Sequence, residues 1–239
     1  MIGRRNCFLF LRAFAITMCP AALLAQNWQS AVTMDHEPHH HLAFQNQYLR
    51  AFQVEVPPHS STLLHQHAHD YVFVTLGDTS LENDVQGKPP AKLDLKDGDV
   101  RFTKGGFAHI AKNLSAKPFR NITVEFLQPI GDPKPPETTE QPGPGTACRF
   151  AGVMFPAMIK VLYSSEVLNV RDYSLPRKCG VSPEGKGALV VALSAVVVNH
   201  SAGPSKALKR GDLAWVSSRD AIVNRHGIDA RFIAIEFEK

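Results

Sequence analysis

Three histidines in the first half of the chain have the types and spacing of metal ligands. His65 and His67 form a His-x-His pair, and His109 follows within a glycine-containing segment. Side chains at positions i and i+2 of an extended strand point to the same face, so the pair presents two imidazoles together. A third imidazole from a separate strand completes a set that holds a metal ion and leaves coordination positions open.

Histidine is concentrated in this part of the chain. Nine of the eleven histidines lie between His36 and His109. Most of those outside the triad are interpreted as ordinary surface or core imidazoles rather than ligands. They are His36, His39, His40, His41 and His59.

The ligand types restrict the metal without choosing it. Neutral imidazoles, with or without one carboxylate, suit divalent iron, manganese, nickel or zinc. We therefore predict one divalent metal ion per chain, with a small-molecule ligand or substrate at its open positions.

The sequence leaves three alternatives for a fourth metal ligand. Asp70 follows the His-x-His pair closely and is the carboxylate assigned to the site. Strict strand alternation from His67 instead places His69 and Tyr71 on the inward face, and a bulge between them would restore Asp70. The alternatives are Asp70, His69 in its place, or a site of three histidines alone.

Three polar side chains on the neighbouring predicted strands are candidates for contact with a substrate, namely Tyr71, Arg101 and Glu125. The sequence shows no nucleophile-plus-base arrangement, no glycine-rich phosphate loop and no Gly-x-Ser-x-Gly elbow. Metal-assisted chemistry is therefore favoured over phosphate transfer or serine hydrolysis.

The elements that position these residues are predicted to be strands. Short runs rich in Val, Ile, Phe and Tyr alternate with Gly, Pro, Asn and Asp clusters, which is typical of a β-sandwich or β-barrel. Four such segments recur in the same order in the second half, and we interpret this as an internal duplication. The segments begin at Tyr48, Val72, Gly98 and Ile122, and their counterparts begin at Val167, Val190, Gly211 and Ile233.

The second copy lacks the chemistry of the first. No histidine lies between Gly180 and Gly187, where the counterparts of His65 and His67 fall. The metal site is therefore predicted only in the first copy. The predicted divisions of the chain are a signal peptide at 1–25, an N-terminal arm at 26–43, a metal-binding barrel at 44–128, a proline-rich linker at 129–156 and a degenerate second barrel at 157–239.

The first 25 residues have the pattern of a secretory signal. Arg4 and Arg5 precede an apolar run that ends in small residues at Ala25, and we predict cleavage after Ala25. A single membrane anchor is the alternative. Cleavage places the mature protein in the periplasm or outside the cell, with no membrane association.

Removal of this segment changes the charge and the cysteine content. The net charge of +4 includes three arginines of the predicted signal, so the rest of the chain carries about +1 and has no basic footprint for nucleic acid. Cys148 and Cys179 remain, either as a disulfide, which an oxidising compartment permits, or as two free thiols. The oligomeric state is expected to be monomer or homodimer.

The two motifs resemble those of the cupin superfamily. His65, His67 and the Asp70–Gly77 spacing match its first motif, and the spacing of Gly98, Gly106, His109 and Asn113 matches its second, while Lys104 replaces the usual proline. The resemblance is good over 44–128 and weak over 157–239.

This resemblance implies an all-β protein of two fused jelly-roll (double-stranded β-helix) barrels. It also implies a metal-binding protein with an activity such as that of a dioxygenase, isomerase or decarboxylase on a small oxygen-rich organic molecule, and the signal pattern adds the expectation of export. The alternative is a non-catalytic periplasmic protein that binds or senses a small ligand or a metal.

Overall fold

The fold consists almost entirely of strands. A computed structural model describes residues 30–136, 140–150 and 153–238, with side chains for 30–136 and 157–238. These ranges contain twenty strands and one 3-10 helix at Met34–His36, which confirms the all-β prediction. No helix within them has the length and apolar character needed to cross a membrane. The predicted signal peptide lies outside the described residues.

The first ten strands form two facing five-stranded sheets of a jelly-roll barrel. One sheet has the strand order β1-β4-β9-β6-β7, and the other has the order β2-β3-β10-β5-β8. The strands are β1 (Val32–Thr33), β2 (His40–Gln45), β3 (Leu49–Val56), β4 (His65–His67), β5 (Tyr71–Thr75), β6 (Thr79–Val85), β7 (Ala91–Leu95), β8 (Val100–Thr103), β9 (Phe107–Asn113) and β10 (Phe119–Phe126).

The other ten strands repeat this arrangement. Their sheets have the orders β11-β12-β13-β20-β15-β18 and β14-β19-β16-β17. The run β3-β10-β5-β8 thus corresponds to β13-β20-β15-β18, which supports the predicted duplication. The strands are β11 (Glu140–Phe150), β12 (Val153–Ser164), β13 (Leu168–Leu175), β14 (Gly180–Val181), β15 (Gly187–Ala192), β16 (Val196–Asn199), β17 (Lys206–Leu208), β18 (Leu213–Val216), β19 (Ala221–Val223) and β20 (Ala230–Phe237).

Two segments that were predicted to lie outside the barrels contribute strands to them. The arm at 26–43 supplies β1 and most of β2, and the linker at 129–156 supplies β11 and the start of β12. β11 lies at the edge of its sheet, and its register shifts between Pro142 and Ala147. An edge strand tolerates prolines because it needs hydrogen bonds on one side only. The proline content therefore excludes a central strand but not an edge strand.

The two barrels pack against each other through an apolar interface. Val72 and Val74 of β5 belong to one buried cluster with Leu189 and Val191 of β15, and all four side chains have no exposed surface. Burial of each aliphatic side chain of this size contributes about 1.5–3 kcal/mol. Since β5 directs these even-numbered positions to the interface, its odd-numbered positions face the interior of the first barrel.

The interior of the second barrel is filled. Tyr173 and Phe232 stack there with ring centroids 4.8 Å apart, within a cluster of buried aliphatic side chains. The Tyr173 hydroxyl donates a hydrogen bond of 2.6 Å to the buried carboxylate of Glu236. Val181 of β14 and Ile222 of β19 belong to the same buried cluster, and these strands correspond to β4 and β9, which carry the predicted metal site of the first barrel.

Cys179 is buried and disulfide-bonded. Cys148, the predicted partner, is carried by β11, whose side chains are outside the described set. β11 contacts β14, which begins at the residue after Cys179. The contact between β11 and β14 is consistent with a disulfide between Cys148 and Cys179, which stays a prediction.

Candidate metal centre

Two paired strands bring the three histidines together. β4 and β9 are antiparallel neighbours, and His65 lies directly opposite His109. Directly opposite residues of an antiparallel pair share a face, and His67 joins that face because it is two residues from His65. The three rings therefore point into the first barrel.

The ring nitrogens converge on one point. One nitrogen from each of His65, His67 and His109 lies within 4.8 Å of the others, and this is the one such triad in the described part of the chain. His67 Nε2 and His109 Nε2 are 3.1 Å apart. Two nitrogens bound at right angles to one ion, each at about 2.1 Å, would be about 3.0 Å apart. The spacing of this pair fits a shared metal ion.

Hydrogen bonds fix the orientation of two of the rings. His65 Nδ1 lies 2.9 Å from the Leu63 carbonyl oxygen, and His109 Nδ1 lies 2.5 Å from the Asn83 side-chain oxygen. Both partners accept hydrogen bonds, so Nδ1 carries the proton and Nε2 keeps its lone pair. His65 Nε2 is buried without a partner. Imidazoles that bind a metal are usually held by such outer contacts.

A buried carboxylate lies behind the third ring. His67 Nδ1 is 3.7 Å from Glu125 Oε1, and both atoms are buried without a hydrogen-bond partner. The other carboxylate oxygen of Glu125 accepts a hydrogen bond of 2.6 Å from Arg50. Glu125, a predicted substrate contact, is therefore not among the described residues that line the cavity. Its β10 side chain is fully buried and lies beside the ring of His67 rather than on the cavity wall.

Burial keeps the three imidazoles neutral. Burial and the neighbouring His40 lower the pKa of His65 to about 4. Burial and repulsion by His65 lower the pKa of His109 to about 3, and burial next to His109 lowers the pKa of His67 strongly. Neutral imidazoles bind a metal ion without first losing a proton.

Neither predicted fourth ligand joins the triad in this structure. The Asp70 carboxylate accepts hydrogen bonds from Lys104 Nζ at 3.1 Å and from the Gly105 amide at 2.9 Å. His69 is partly exposed and belongs to no group of three ligands among the described residues. Of the three alternatives, the geometry favours three histidines alone.

Asp70 instead holds the turn that starts β9. Gly105 lies so close to the preceding segment that a Cβ would be 2.3 Å from the carbonyl carbon of His69. Gly106 has a φ of 85°, which favours glycine, and its amide donates a hydrogen bond of 2.8 Å to the His67 carbonyl. These contacts connect the His-x-His segment to the strand that carries His109.

A half-open cavity of about 490 Å³ lies in front of the triad. Tyr71 and Arg101 line it, as the sequence analysis predicts. The Tyr71 ring stacks on His67 with centroids 4.1 Å apart, and burial raises the pKa of Tyr71 to about 12, which keeps its hydroxyl protonated. The apolar part of the lining consists of Val54, Val56, Val85, Phe73, Leu81, Leu93, Phe102, Phe107, Ala111 and Phe119.

A fourth histidine at this cavity, and a buried acid that holds it, were not predicted from the sequence. His40, interpreted above as an ordinary imidazole, lines the cavity with its ring centroid 4.8 Å from that of His65. Its Nδ1 lies 2.5 Å from a carboxylate oxygen of Glu37, which is almost fully buried. Glu37 also accepts hydrogen bonds from the amides of His39 and Leu63. The spacing Glu-x-x-His was visible in the sequence, but nothing indicated that β2 would begin at His40 with its side chain directed inward.

Glu37 predicts a loss of stability in acid. Burial alone would raise its pKa, but the hydrogen bonds from His40, Leu63 and His39 outweigh burial and lower the pKa of Glu37 to about 2. A carboxylate with a lowered folded-state pKa stabilises the fold above its ordinary pKa of 4.5, and that contribution disappears as the pH falls towards 2. We expect denaturant unfolding of the metal-free protein to show this loss, and Glu37→Gln to remove the part due to Glu37.

The buried histidines act in the same direction at higher pH, so the difference between wild type and Glu37→Gln isolates Glu37. Glu55→Gln is the matched control, because its carboxylate is exposed and binds Arg120 on the surface. Parallel stability curves for wild type and Glu37→Gln between pH 5 and pH 2 would contradict the prediction.

Comparisons with known proteins identify the fold. No protein-family model matches the chain, and no curated protein matches it by sequence. Solved structures do match. The crystal structure of AerE from Microcystis aeruginosa is 17% identical, with a TM-score of 0.58 over 84% of this chain and 94% of that chain.

Two further matches have similar values. A cupin 2 conserved barrel domain protein from Leptotrichia buccalis is 10% identical, with a TM-score of 0.52 over 83% of this chain and 88% of that one. A salicylate 1,2-dioxygenase from Pseudaminobacter salicylatoxidans is 12% identical, with a TM-score of 0.52 over 80% of this chain and 71% of that one. The chain therefore has the fold of the cupin superfamily, as its histidine and glycine motifs predict.

Proposed function

We propose that this protein is an exported cupin whose first barrel holds one divalent metal ion through His65, His67 and His109. It acts on a small oxygen-rich organic molecule in the adjoining cavity, in an oxidation or a related metal-assisted step. The observation that supports this best is the triad itself, whose nitrogens converge at the wall of a half-open cavity.

The residues around the triad fit a metal ion. His65 and His109 are held through Nδ1, so their lone pairs on Nε2 face the common point. His65 Nε2 is buried with no hydrogen-bond partner, an arrangement that is unfavourable unless a ligand is bound there. A bound divalent metal would supply Lewis acidity and, if it is iron, the capacity to activate dioxygen.

The chain's own groups would position the substrate and exclude water. Phe73, Phe107 and Phe119 give the cavity apolar walls, and the Tyr71 hydroxyl stays protonated and able to donate a hydrogen bond. One of the similar folds belongs to a salicylate 1,2-dioxygenase, which agrees with chemistry of this kind on this scaffold.

Export rests on the sequence of residues 1–25. The buried disulfide at Cys179 supports it, because disulfides persist mainly in oxidising compartments. The site of action would then be the periplasm or the exterior of the cell.

A non-catalytic binding protein is the second candidate, and one observation favours it. Among the described residues that line the cavity, none is Asp or Glu. Proton transfer in the cavity would therefore depend on imidazoles or on Tyr71 rather than on a carboxylate, and a metal held by the triad would occupy three of those imidazoles.

Metal analysis followed by a turnover screen separates these candidates. Protein purified without chelator is analysed by mass spectrometry for iron, manganese, nickel and zinc, and about one ion per chain is expected. Samples loaded with iron or manganese are then incubated with phenolics, sugars and keto acids under air. Conversion of a compound supports the enzyme, binding without conversion favours the second candidate, and a chain that takes up no metal would contradict the metal-dependent enzyme.

A further inference from the structure

An arginine lies on the wall of the cavity. Arg101 of β8 lies directly opposite Phe73 of β5, and both line the cavity. Directly opposite residues of an antiparallel pair share a face, so Arg101 and Phe73 are neighbours on the cavity wall. Within the described ranges, the Arg101 guanidinium makes no hydrogen bond and no ion pair.

Other arginines of the protein are paired with carboxylates. Arg50 lies 2.6 Å from Glu125, and Arg120 lies 2.8 Å from Glu55. Arg101 differs from them because β8 carries no acid and no carboxylate of the described residues forms an ion pair with its guanidinium. A guanidinium is a planar donor that matches a carboxylate in a bidentate pair, so an unpaired one on a partly enclosed wall is suited to a ligand anion.

The other charged side chains that line the cavity are also positive. Lys88 and Lys104 also line the cavity, and no acidic residue does so within the described chain. Lys104 is already bound to Asp70, whereas Lys88 is exposed at the rim. A cavity with cations and apolar walls favours an anion over a neutral or a cationic ligand.

The position of Arg101 along its strand indicates the size of the ligand. Tyr71 stacks on His67 and lies opposite Thr103, while Phe73 and Arg101 form the next pair on the same face of these strands. Two residues along a strand span roughly 7 Å. A molecule the size of a substituted benzene ring fits this distance, and the aromatic side chains offer it apolar contact.

We propose that the cavity binds a small carboxylic acid with an apolar body, whose carboxylate pairs with Arg101. The proposal rests on the proposed function in one respect: the end of the ligand opposite its carboxylate would lie at the metal centre. It names the substrate class of that site and assigns Arg101 the recognition of its charge.

The test compares carboxylates with their neutral amides. Formate, acetate, benzoate and salicylate are titrated into the protein together with formamide, acetamide, benzamide and salicylamide, and binding is followed by ligand-observed NMR and calorimetry. Benzoate and salicylate are expected to bind at least tenfold more tightly than benzamide and salicylamide. Inorganic phosphate is included and is expected to bind more weakly than benzoate, because it lacks an apolar body.

Substitution of the arginine should remove this preference. We expect Arg101→Gln to weaken benzoate binding roughly ten- to hundredfold, as for loss of a charged hydrogen-bonded pair, and to leave benzamide binding unchanged. Arg101→Lys keeps the charge without the planar fork and should give an intermediate affinity. Arg120→Gln is the matched control, since it removes an arginine from the outer surface.

The measurement is made on both zinc-loaded and chelator-treated protein, with metal content recorded for each variant. If Arg101→Gln binds benzoate as well as wild type, or if no carboxylate binds more tightly than its amide, the proposal is overturned. Failure of the chain to take up zinc would overturn the metal site alone, because the chelator-treated arm still tests Arg101.

Discussion

Alanine in place of both His65 and His67 is expected to abolish stoichiometric metal binding. The double variant keeps only His109 of the triad, and one imidazole cannot hold a divalent ion against dialysis. Metal content should fall from about one ion per chain to less than about a tenth, since three or more ligands define such sites. Elemental analysis by mass spectrometry after exhaustive dialysis measures this directly.

The same variant should lose its response to chelator. A ligand that binds only the folded state stabilises it by about 4 kcal/mol when present at 1,000 times its dissociation constant. Wild type is therefore expected to unfold at a lower temperature after treatment with chelator, whereas His65→Ala/His67→Ala should unfold at the same temperature with and without it.

The matched control is the double variant His41→Ala/His226→Ala, which removes two exposed imidazoles, one from each barrel. It should keep full metal content. Full metal content in His65→Ala/His67→Ala would refute the assignment of the site, because no other triad of ligands is present in the described part of the chain.

The motifs predicted the fold and the triad because local spacing determines both. A His-x-His pair in a strand presents one face whatever the rest of the chain does. Gly106 marks the turn from which β9 begins, so the spacing from Gly106 to His109 places the third imidazole on the strand next to the pair. These relations need no knowledge of distant contacts.

Contacts between distant strands could not be predicted in this way. Glu125 was expected in the cavity, but it is buried beside His67 because β10 pairs with β3 and brings it to Arg50. His40 was expected to be an ordinary imidazole, and the pairing of β2 with β3 carries it to the cavity. Sequence periodicity does not show which strands are neighbours in a sheet.

Comparison of the two barrels shows which motif residues have a structural role and which belong to the metal site. The Asn113 side chain donates hydrogen bonds to the carbonyls of Val56 and Lys117. In the second barrel the Asn224 side chain donates in the same way to the carbonyls of Leu175 and Ile228. The asparagine is thus retained where the histidines are absent, which indicates that it holds the turn between strands in each barrel.

The largest expected change in stability follows from the ion pair beside the metal centre. Glu125 has no exposed surface, and the charge that compensates it is the guanidinium of Arg50 at 2.6 Å. Removal of one partner from a buried ion pair leaves an uncompensated charge and destabilises a protein by about 3–5 kcal/mol. We therefore expect Arg50→Met to lower the free energy of unfolding by that amount, measured by denaturant unfolding at neutral pH.

A double variant tests whether the buried charge is the cause. Arg50→Met/Glu125→Leu removes both charges, so it should recover most of the lost stability, whereas loss of packing by Arg50 alone would not be recovered. Arg120→Met is the matched control, since the exposed pair of Arg120 with Glu55 is expected to contribute only about 0–1 kcal/mol. Equal losses in Arg50→Met and Arg120→Met would show that Glu125 does not depend on Arg50.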